Sequence, residues 1–338
     1  MRIAVGVPFP PDDSLAERLR EIDPSAEVVF TPYAESMAVR AHKGVNAGRL
    51  VADLELPEID QPTRDLWAET DVFVGVDVPD AHAELLPQLG WFQSAAAGLD
   101  NIDTVALAER NVVISTASGV AAESIAEFVM ARFLQHWKHL RTFDNNQLAH
   151  DWKQRYGVEV KGKTLLIVGF GAIGAQVALR AKAFGMNVLA TRRSAKPGDV
   201  PPPNVNEMHP AAQLPTVLPR ADAVVACLPG SPETVDFFDA DMFANMKPGA
   251  LFQNVGRGSQ VDEVALVAAL ESGQLGAAIL DVTKDEPVLA DSPLWDAPNL
   301  YLSPHSAISV DRYAANTFDL LVENFALWRA GEPLRNQY

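Results

Sequence analysis

Residues 163–193 read KTLLIVGFGAIGAQVALRAKAFGMNVLATRR, and this stretch decides the fold. An apolar run, TLLIV, leads into Gly169-x-Gly171-x-x-Gly174, a helical stripe of Ile173, Val177, Ala181 and Phe184 follows, and a second apolar run, NVLAT, closes the unit. Three glycines alone are common in loops; a strand before them and an amphipathic helix after them make the pattern a dinucleotide-binding fingerprint. The first glycine permits the tight turn, the second lets a pyrophosphate approach the backbone, and the third allows close helix–strand packing. The helix N-terminus then faces the anion.

The end of the second strand chooses between cofactors. An NAD-binding unit usually carries Asp or Glu there to accept from the ribose hydroxyls. Arg192 holds that place, followed by Arg193 and Ser194. Two cations and a hydroxyl suit the 2′-phosphate of NADP, so NADP(H) is the preferred cofactor and NAD(H) is left open. A charged hydrogen bond contributes about 1.5–3 kcal/mol, which corresponds to a preference of roughly ten- to a hundredfold.

Outward from this unit the same alternation continues. AVVAC, ALFQNV and AAILDV follow at spacings that leave room for helices, the sign of a parallel, doubly wound sheet. Upstream, residues 1–115 carry IAVGV, AEVVF, DVFVGV, WFQSA and NVVIST, a second and smaller α/β unit. From Gly119, AAESIAEFVMARFLQHWKHLRTFDNNQLAHDWK predicts one long helix joining the domains, with Ile125, Val129, Phe133 and Trp137 on its apolar face. A final helix presents Phe318, Leu321, Phe325 and Trp328 and stops before Gly331 and Pro333; it needs a sheet to pack on. Residues 42–62, HKGVNAGRLVADLELPEIDQP, show no pattern, and no internal repeat is present.

Composition narrows the function classes. The 338 residues, 48% hydrophobic, exceed one ordinary core, so two domains are expected. With 44 acidic against 27 basic residues the net charge is -17, which repels nucleic acid. The only cysteine, Cys227, lies in the strand-like run AVVACLP, so neither a disulfide nor a cysteine metal site is expected, and the thiol reads as a small core hydrophobe. MRIAVGVPFPPDD reads as a first strand and not a signal peptide, and no apolar stretch approaches the ~20 residues of a membrane span. A cytoplasmic protein without metal, membrane or nucleic-acid partner is the expectation.

Three residues able to do chemistry follow three successive strand-like segments: Arg257 after ALFQNVG, Glu286 after AAILDVTKD, and His305 after NLYLSP. In an open α/β sheet ligands bind beyond the carboxyl ends of the strands, so these side chains are placed to converge. A guanidinium grips a carboxylate and polarises a ketone, and an imidazolium delivers a proton. A carboxylate beside the imidazole favours its protonated form. Singly, each has a bland reading as a turn cation, a residue before Pro287 or a loop histidine.

The motifs VGFGAIG, MKPGALFQNVGRGSQVDEVALVAALESGQLGAAILDVTKDEPV and NLYLSPHSA, with SAAAGLDNID and LWRAGEPLRN, resemble the D-isomer-specific 2-hydroxyacid dehydrogenase family. The likeness runs from about Gly98 to the C-terminus. It implies two Rossmann-like domains, a dinucleotide-binding domain of residues 116–305 inserted into a flavodoxin-like substrate domain of residues 1–115 and 306–338. It makes Arg257 the substrate-binding arginine, His305 the acid/base and Glu286 its partner. The substrate carboxylate would rest on Ala97, Gly98, Gly75 and Val76. Cofactor contacts would extend over Gly169, Gly171, Ala172, Ile173, Gly174, Arg192, Arg193, Ser194, Cys227, Leu228, Pro229, Val255, Gly256, Asp281 and His305, with Asp281 holding the nicotinamide amide.

The resemblance further implies a homodimer acting on a small 2-keto acid. Two departures stand out: Arg192 replaces the usual acidic residue, which turns the likeness toward NADP-using glyoxylate and hydroxypyruvate reductases, and DVTKDEP lacks the aromatic that many relatives carry after the valine. Trp152 reads as a packed interface or core residue, and His136 and His139 as helix-surface residues. Glu286 argues against a formate dehydrogenase, which pairs its histidine with glutamine. A phosphite dehydrogenase on this scaffold, or a corepressor-like module that binds the dinucleotide, remains an alternative.

Overall fold

The computed structural model describes residues 1–11 and 14–338. The chain forms two compact units, Met1–Val120 with Val310–Tyr338, and Ala121–Ser309, so the second interrupts the first along the sequence.

The first unit holds strands β1 Arg2–Val5, β2 Glu27–Phe30, β3 Thr70–Gly75, β4 Trp91–Ser94 and β5 Val113–Ser115. All pair in parallel in the order β2-β1-β3-β4-β5, the flavodoxin-like order. A parallel sheet is covered on both faces, and the run Val72-Phe73-Val74 is accordingly buried throughout. Phe73 packs with Trp67 and Phe92 on one side, and Val72 and Val74 pack with Phe318, Leu321 and Phe325 on the other. Those last three come from the final helix, Val310–Ala330. Fully burying each such side chain contributes about 1.5–3 kcal/mol. Polar pins fix its register: Asn324 Nδ2 and Ser115 Oγ both donate to Gln93 Oε1, and the Tyr313 hydroxyl donates to the Ala95 carbonyl.

The second unit is a seven-stranded parallel sheet of β6 Thr164–Val168, β7 Asn187–Arg192, β8 Glu207–Pro210, β9 Ala223–Ala226, β10 Ala250–Asn254, β11 Leu275–Leu280 and β12 Leu300–Leu302. Its order, β12-β11-β10-β9-β6-β7-β8, is the dinucleotide-binding order with one strand added at an edge. Alternate residues of β6 separate the two cores. Leu165 and Ile167 face the helices Ala122–Trp137 and Ala172–Ala183, whereas Leu166 and Val168 face Leu214–Val217 and Glu263–Glu271.

Several expectations are corrected. The long helix is two helices, Ala122–Trp137 and Leu140–Leu148, broken where His139 adopts φ 56°. The Trp137 carbonyl accepts from Val158 N at 3.0 Å, and Gly157 lies so close that a Cβ would stand 2.5 Å from that oxygen. Residues 151–160 have no regular structure, and Trp152 is 97% exposed, which rules out a core position. His136 is half-buried against the Tyr301 ring, so burial lowers its pKa. Phe184 caps its helix and is exposed, outside the buried stripe. Strand β8, sequence EMHP, carries no β-branched residue and was not anticipated; it is held by pairing with β7. Among the described residues no helix is long and apolar enough to cross a membrane, and no cluster of three or more His, Cys, Asp or Glu side chains could hold a metal ion.

Candidate active site

At the carboxyl end of β6 the three glycines fill three different needs. Gly169 has φ 95°, a conformation costly for any side chain, and a Cβ there would lie 2.7 Å from the Cys227 carbonyl oxygen. Gly174 is equally confined, 3.0 Å from Gly169 O and from Ile167 Cγ2. Gly171 faces open space and caps the helix Ala172–Ala183 with no side-chain hydrogen bond. The first amides of that helix, including Ala172 and Ile173, therefore point outward unsatisfied, a donor set that fits a pyrophosphate. Arg192 ends β7; it, Arg193 and Ser194 are all exposed, and neither guanidinium forms an ion pair among the described residues.

The rims of the neighbouring strands close on one another through backbone contact. A Cβ on Gly256 would lie 2.8 Å from the Leu228 carbonyl oxygen, and one on Gly258 would lie 1.9 Å from that of Thr283. Residues 227–229, 255–258 and 281–286 are thereby drawn together. Cys227 follows β9, and burial pushes its thiol up to about 12, leaving it protonated at neutral pH. Arg257, partly buried, has its backbone bracketed by two buried amides. Asn254 Nδ2 donates to Arg257 O at 2.8 Å and Asn254 Oδ1 accepts from Gly256 N at 2.9 Å. Gln260 Oε1 accepts from Arg257 N at 3.2 Å, while Gln260 Nε2 reaches Leu228 O and Pro229 O at 3.0 and 2.9 Å.

Glu286 and His305 meet directly. Nδ1 of His305 lies 3.0 Å from Glu286 Oε2, and Glu286 Oε1 accepts from Thr283 N at 3.1 Å. An ionised carboxylate only accepts, so Nδ1 carries the proton and Nε2 is left for a substrate. The hydrogen bond and charge of Glu286, with a further contribution from Asp281, raise the imidazole pKa against partial desolvation and the opposing charge of Arg257. Desolvation pushes Glu286 upward, but His305, Thr283 N and Arg257 together hold it below its ordinary value.

The His305 backbone, at φ 52°, is held by Asp281, which is 3% exposed. The Asp281 carbonyl accepts from His305 N at 2.8 Å, and its carboxylate accepts from Ser303 Oγ, Ser306 N and Ala307 N at 2.7, 3.0 and 3.1 Å. Sequence reading placed Asp281 beside the cofactor; its visible work is to hold the histidine loop.

In the first unit, Gly75 ends β3 and Val76 follows it, and Ala97 and Gly98 follow β4. Among the described residues, the amides of Val76, Ala97 and Gly98 donate to no protein acceptor, the requirement for binding an oxyanion through backbone. The residues that sequence reading missed are the buried organisers Asp77, Asn254 and Gln260, with the half-buried Asn101. Their only signal was polar residues beside strand ends.

The fold has counterparts among known proteins. Residues 130–307 match the family described as D-isomer specific 2-hydroxyacid dehydrogenase, NAD binding domain. The chain is 36% identical over 288 residues to a glyoxylate/hydroxypyruvate reductase B of Klebsiella pneumoniae, covering 79% of this chain and 85% of the relative. It is similar to a D-isomer specific 2-hydroxyacid dehydrogenase of Xanthobacter autotrophicus Py2 in complex with NADPH and MES, at TM-score 0.74 and 27% identity, covering 100% of this chain and 97% of the other. An NADPH-dependent glyoxylate/hydroxypyruvate reductase of Sinorhizobium meliloti in complex with NADP and sulfate aligns at TM-score 0.73 and 27% identity, over 100% and 98% of the two chains.

The glycine geometry separates stability from binding. Gly171→Ala is expected to change stability by less than about 1 kcal/mol yet weaken dinucleotide affinity at least about tenfold, or 1.4 kcal/mol, by placing a methyl before the helix N-terminus. Gly169→Ala instead destabilises the unit. Thermal unfolding beside cofactor titration reads both, and a Gly171→Ala protein of undiminished affinity refutes the assignment.

Proposed function

The chain belongs to the D-isomer-specific 2-hydroxyacid dehydrogenase family and is an NAD(P)-dependent oxidoreductase acting on a CH–OH group; within that family, we propose that it is an NADPH-preferring reductase of small 2-keto acids such as glyoxylate and hydroxypyruvate. The observation that carries this reading is the His305–Glu286 pair, 3.0 Å apart, whose raised imidazole pKa suits a proton donor. Residues 1–120 and 310–338 serve as the substrate domain and residues 121–309 as the cofactor domain.

When bound, the nicotinamide supplies the hydride that adds to the keto carbon. Arg257 binds the substrate carboxylate and polarises the ketone through its fixed charge. In the first unit, the unpaired amides of Val76, Ala97 and Gly98 form a cradle suited to a substrate carboxylate. His305 delivers its Nε2 proton to the nascent alkoxide, and Glu286 stabilises the imidazolium and fixes its tautomer. Asp281 keeps the histidine loop in place. Arg192, Arg193 and Ser194 bind the 2′-phosphate, the pyrophosphate rests on Ala172 and Ile173, and the 227–229 and 255–256 loops line the rest of the cofactor site.

We also propose a homodimer. The segment 140–158 of the second unit exposes Leu148, Trp152 and Tyr156 at 83, 97 and 82%, with Leu140, Phe143 and Val158 beside them. A second copy is the occupant that would cover this apolar segment.

Three measurements test the reading. A raised His305 pKa keeps the imidazolium populated as pH rises, and keto-acid reduction declines once that pKa is passed. Glu286→Gln removes the largest cause of the shift, so the alkaline limb of kcat moves to lower pH and kcat at pH 8 falls at least about tenfold; an unmoved limb contradicts the pairing. Arg192→Asp is expected to lower the NADPH-to-NADH ratio of kcat/KM by roughly ten- to a hundredfold, and an unchanged ratio means the guanidinium does not meet the phosphate. Light scattering of Trp152→Glu should show a shift from dimer toward monomer at micromolar concentration; a monomeric parent protein sinks the dimer.

A further inference from the structure

Asp77 is fully buried against Arg40, and it lies two residues beyond Gly75. Its carboxylate gathers three separate segments. Oδ2 accepts from Glu35 N at 2.9 Å, in the loop after β2. Arg40, on the helix Met37–Val45, donates from Nε at 2.9 and 3.0 Å to the two oxygens and from Nη2 at 2.6 Å. Asn101 Nδ2, three residues beyond Gly98, donates to Oδ1 at 2.7 Å.

The turn carrying Asp77 leaves no slack. A Cβ on Gly75 would lie 2.6 Å from the Asp77 carbonyl oxygen, so the Val76 amide and the Asp77 side chain move as one piece. A second buried contact pins the far end of the same loop. Lys43 Nζ lies 2.8 Å from Asp80 Oδ1 and 2.9 Å from Glu35 Oε1, and Tyr33 donates to Glu35 Oε1 at 3.1 Å.

We infer that Asp77 is the positioning residue of the substrate-carboxylate cradle: through Asn101 on one side and Arg40 with Glu35 on the other, it sets the spacing between the Val76 amide and the Ala97–Gly98 amides. An ionised carboxylate suits this task because its two oxygens together accept four or more donors, which no neutral side chain of that size does. Arg40 compensates the buried charge, so the loop geometry depends on an ion pair and not on apolar packing. The inference rests on the reading of those amides as the site of the substrate carboxylate.

The test compares a 2-keto acid with its 2-keto amide, which has no carboxylate, in the full-length protein with saturating NADPH. In the parent protein the acid is preferred strongly. In Asp77→Asn the KM for the acid rises about tenfold or more, the scale of one charged hydrogen bond, while the keto-amide KM, kcat and the cofactor dissociation constant stay within about twofold. Cofactor affinity is the control, because every proposed cofactor residue belongs to the other unit. A parent that does not discriminate acid from amide overturns the cradle itself. A parent that discriminates, with Asp77→Asn discriminating equally, overturns only the role of Asp77. Asn101→Ala leaves the Asp77–Arg40 pair intact and covers the case in which Asp77→Asn does not fold; it should raise the acid KM by about threefold or more, because one hydrogen bond to the carboxylate is lost, and an unchanged acid KM overturns the inference.

Discussion

Backbone meeting backbone at the carboxyl rim of the seven-stranded sheet is the constraint on which the rest depends. Gly169 stands against the Cys227 carbonyl, Gly256 against that of Leu228, and Gly258 against that of Thr283. These contacts leave no room for a β-carbon, and they bring the loops after β6, β9, β10 and β11 into one continuous floor. A methyl at any of these positions would push two strand ends apart. Gly75 against the Asp77 carbonyl repeats the device in the smaller unit.

Loops so tightly drawn together lose ladder partners, and buried polar side chains replace them. Asn254 and Gln260 bracket the Arg257 backbone, Asp281 gathers the amides and hydroxyl around His305, and Asp77 gathers the loops around Val76 and Asn101. Each hydrogen bond contributes only about 0.5–1.5 kcal/mol net, but leaving one buried partner unmatched costs about 1–3 kcal/mol. That asymmetry makes the loops specific more than it makes them stable. His305 tolerates its left-handed backbone because Asp281 accepts from three donors around it.

Charge is graded across the second unit. The exposed Arg192 and Arg193 stand at the end of β7. Glu286 is half-buried and His305 exposed, and there a single carboxylate raises the imidazole's proton affinity through a 3.0 Å contact. The net charge of -17 leaves Arg192 and Arg193 as a local exception on an acidic protein, so their placement carries more information than their number.

The amino-acid sequence by itself determined the parallel α/β class, the glycine fingerprint, the basic residues after β7 and the appearance of Arg257, Glu286 and His305 after successive strands. These are local: periodicity and glycine spacing act within one βαβ unit. Tertiary structure supplied the 3.0 Å contact by which Glu286 and His305, nineteen positions apart, meet as the resemblance implied, and it alone decided that Asp281 works on the histidine loop. It also broke the predicted long helix at His139, where Val158 takes the Trp137 carbonyl, added the short strand β8 by pairing alone, and turned Trp152 to solvent. Asp77 was legible only as an acidic residue after a strand, because its meaning lies in Arg40 and Asn101, which folding brings from elsewhere in the chain.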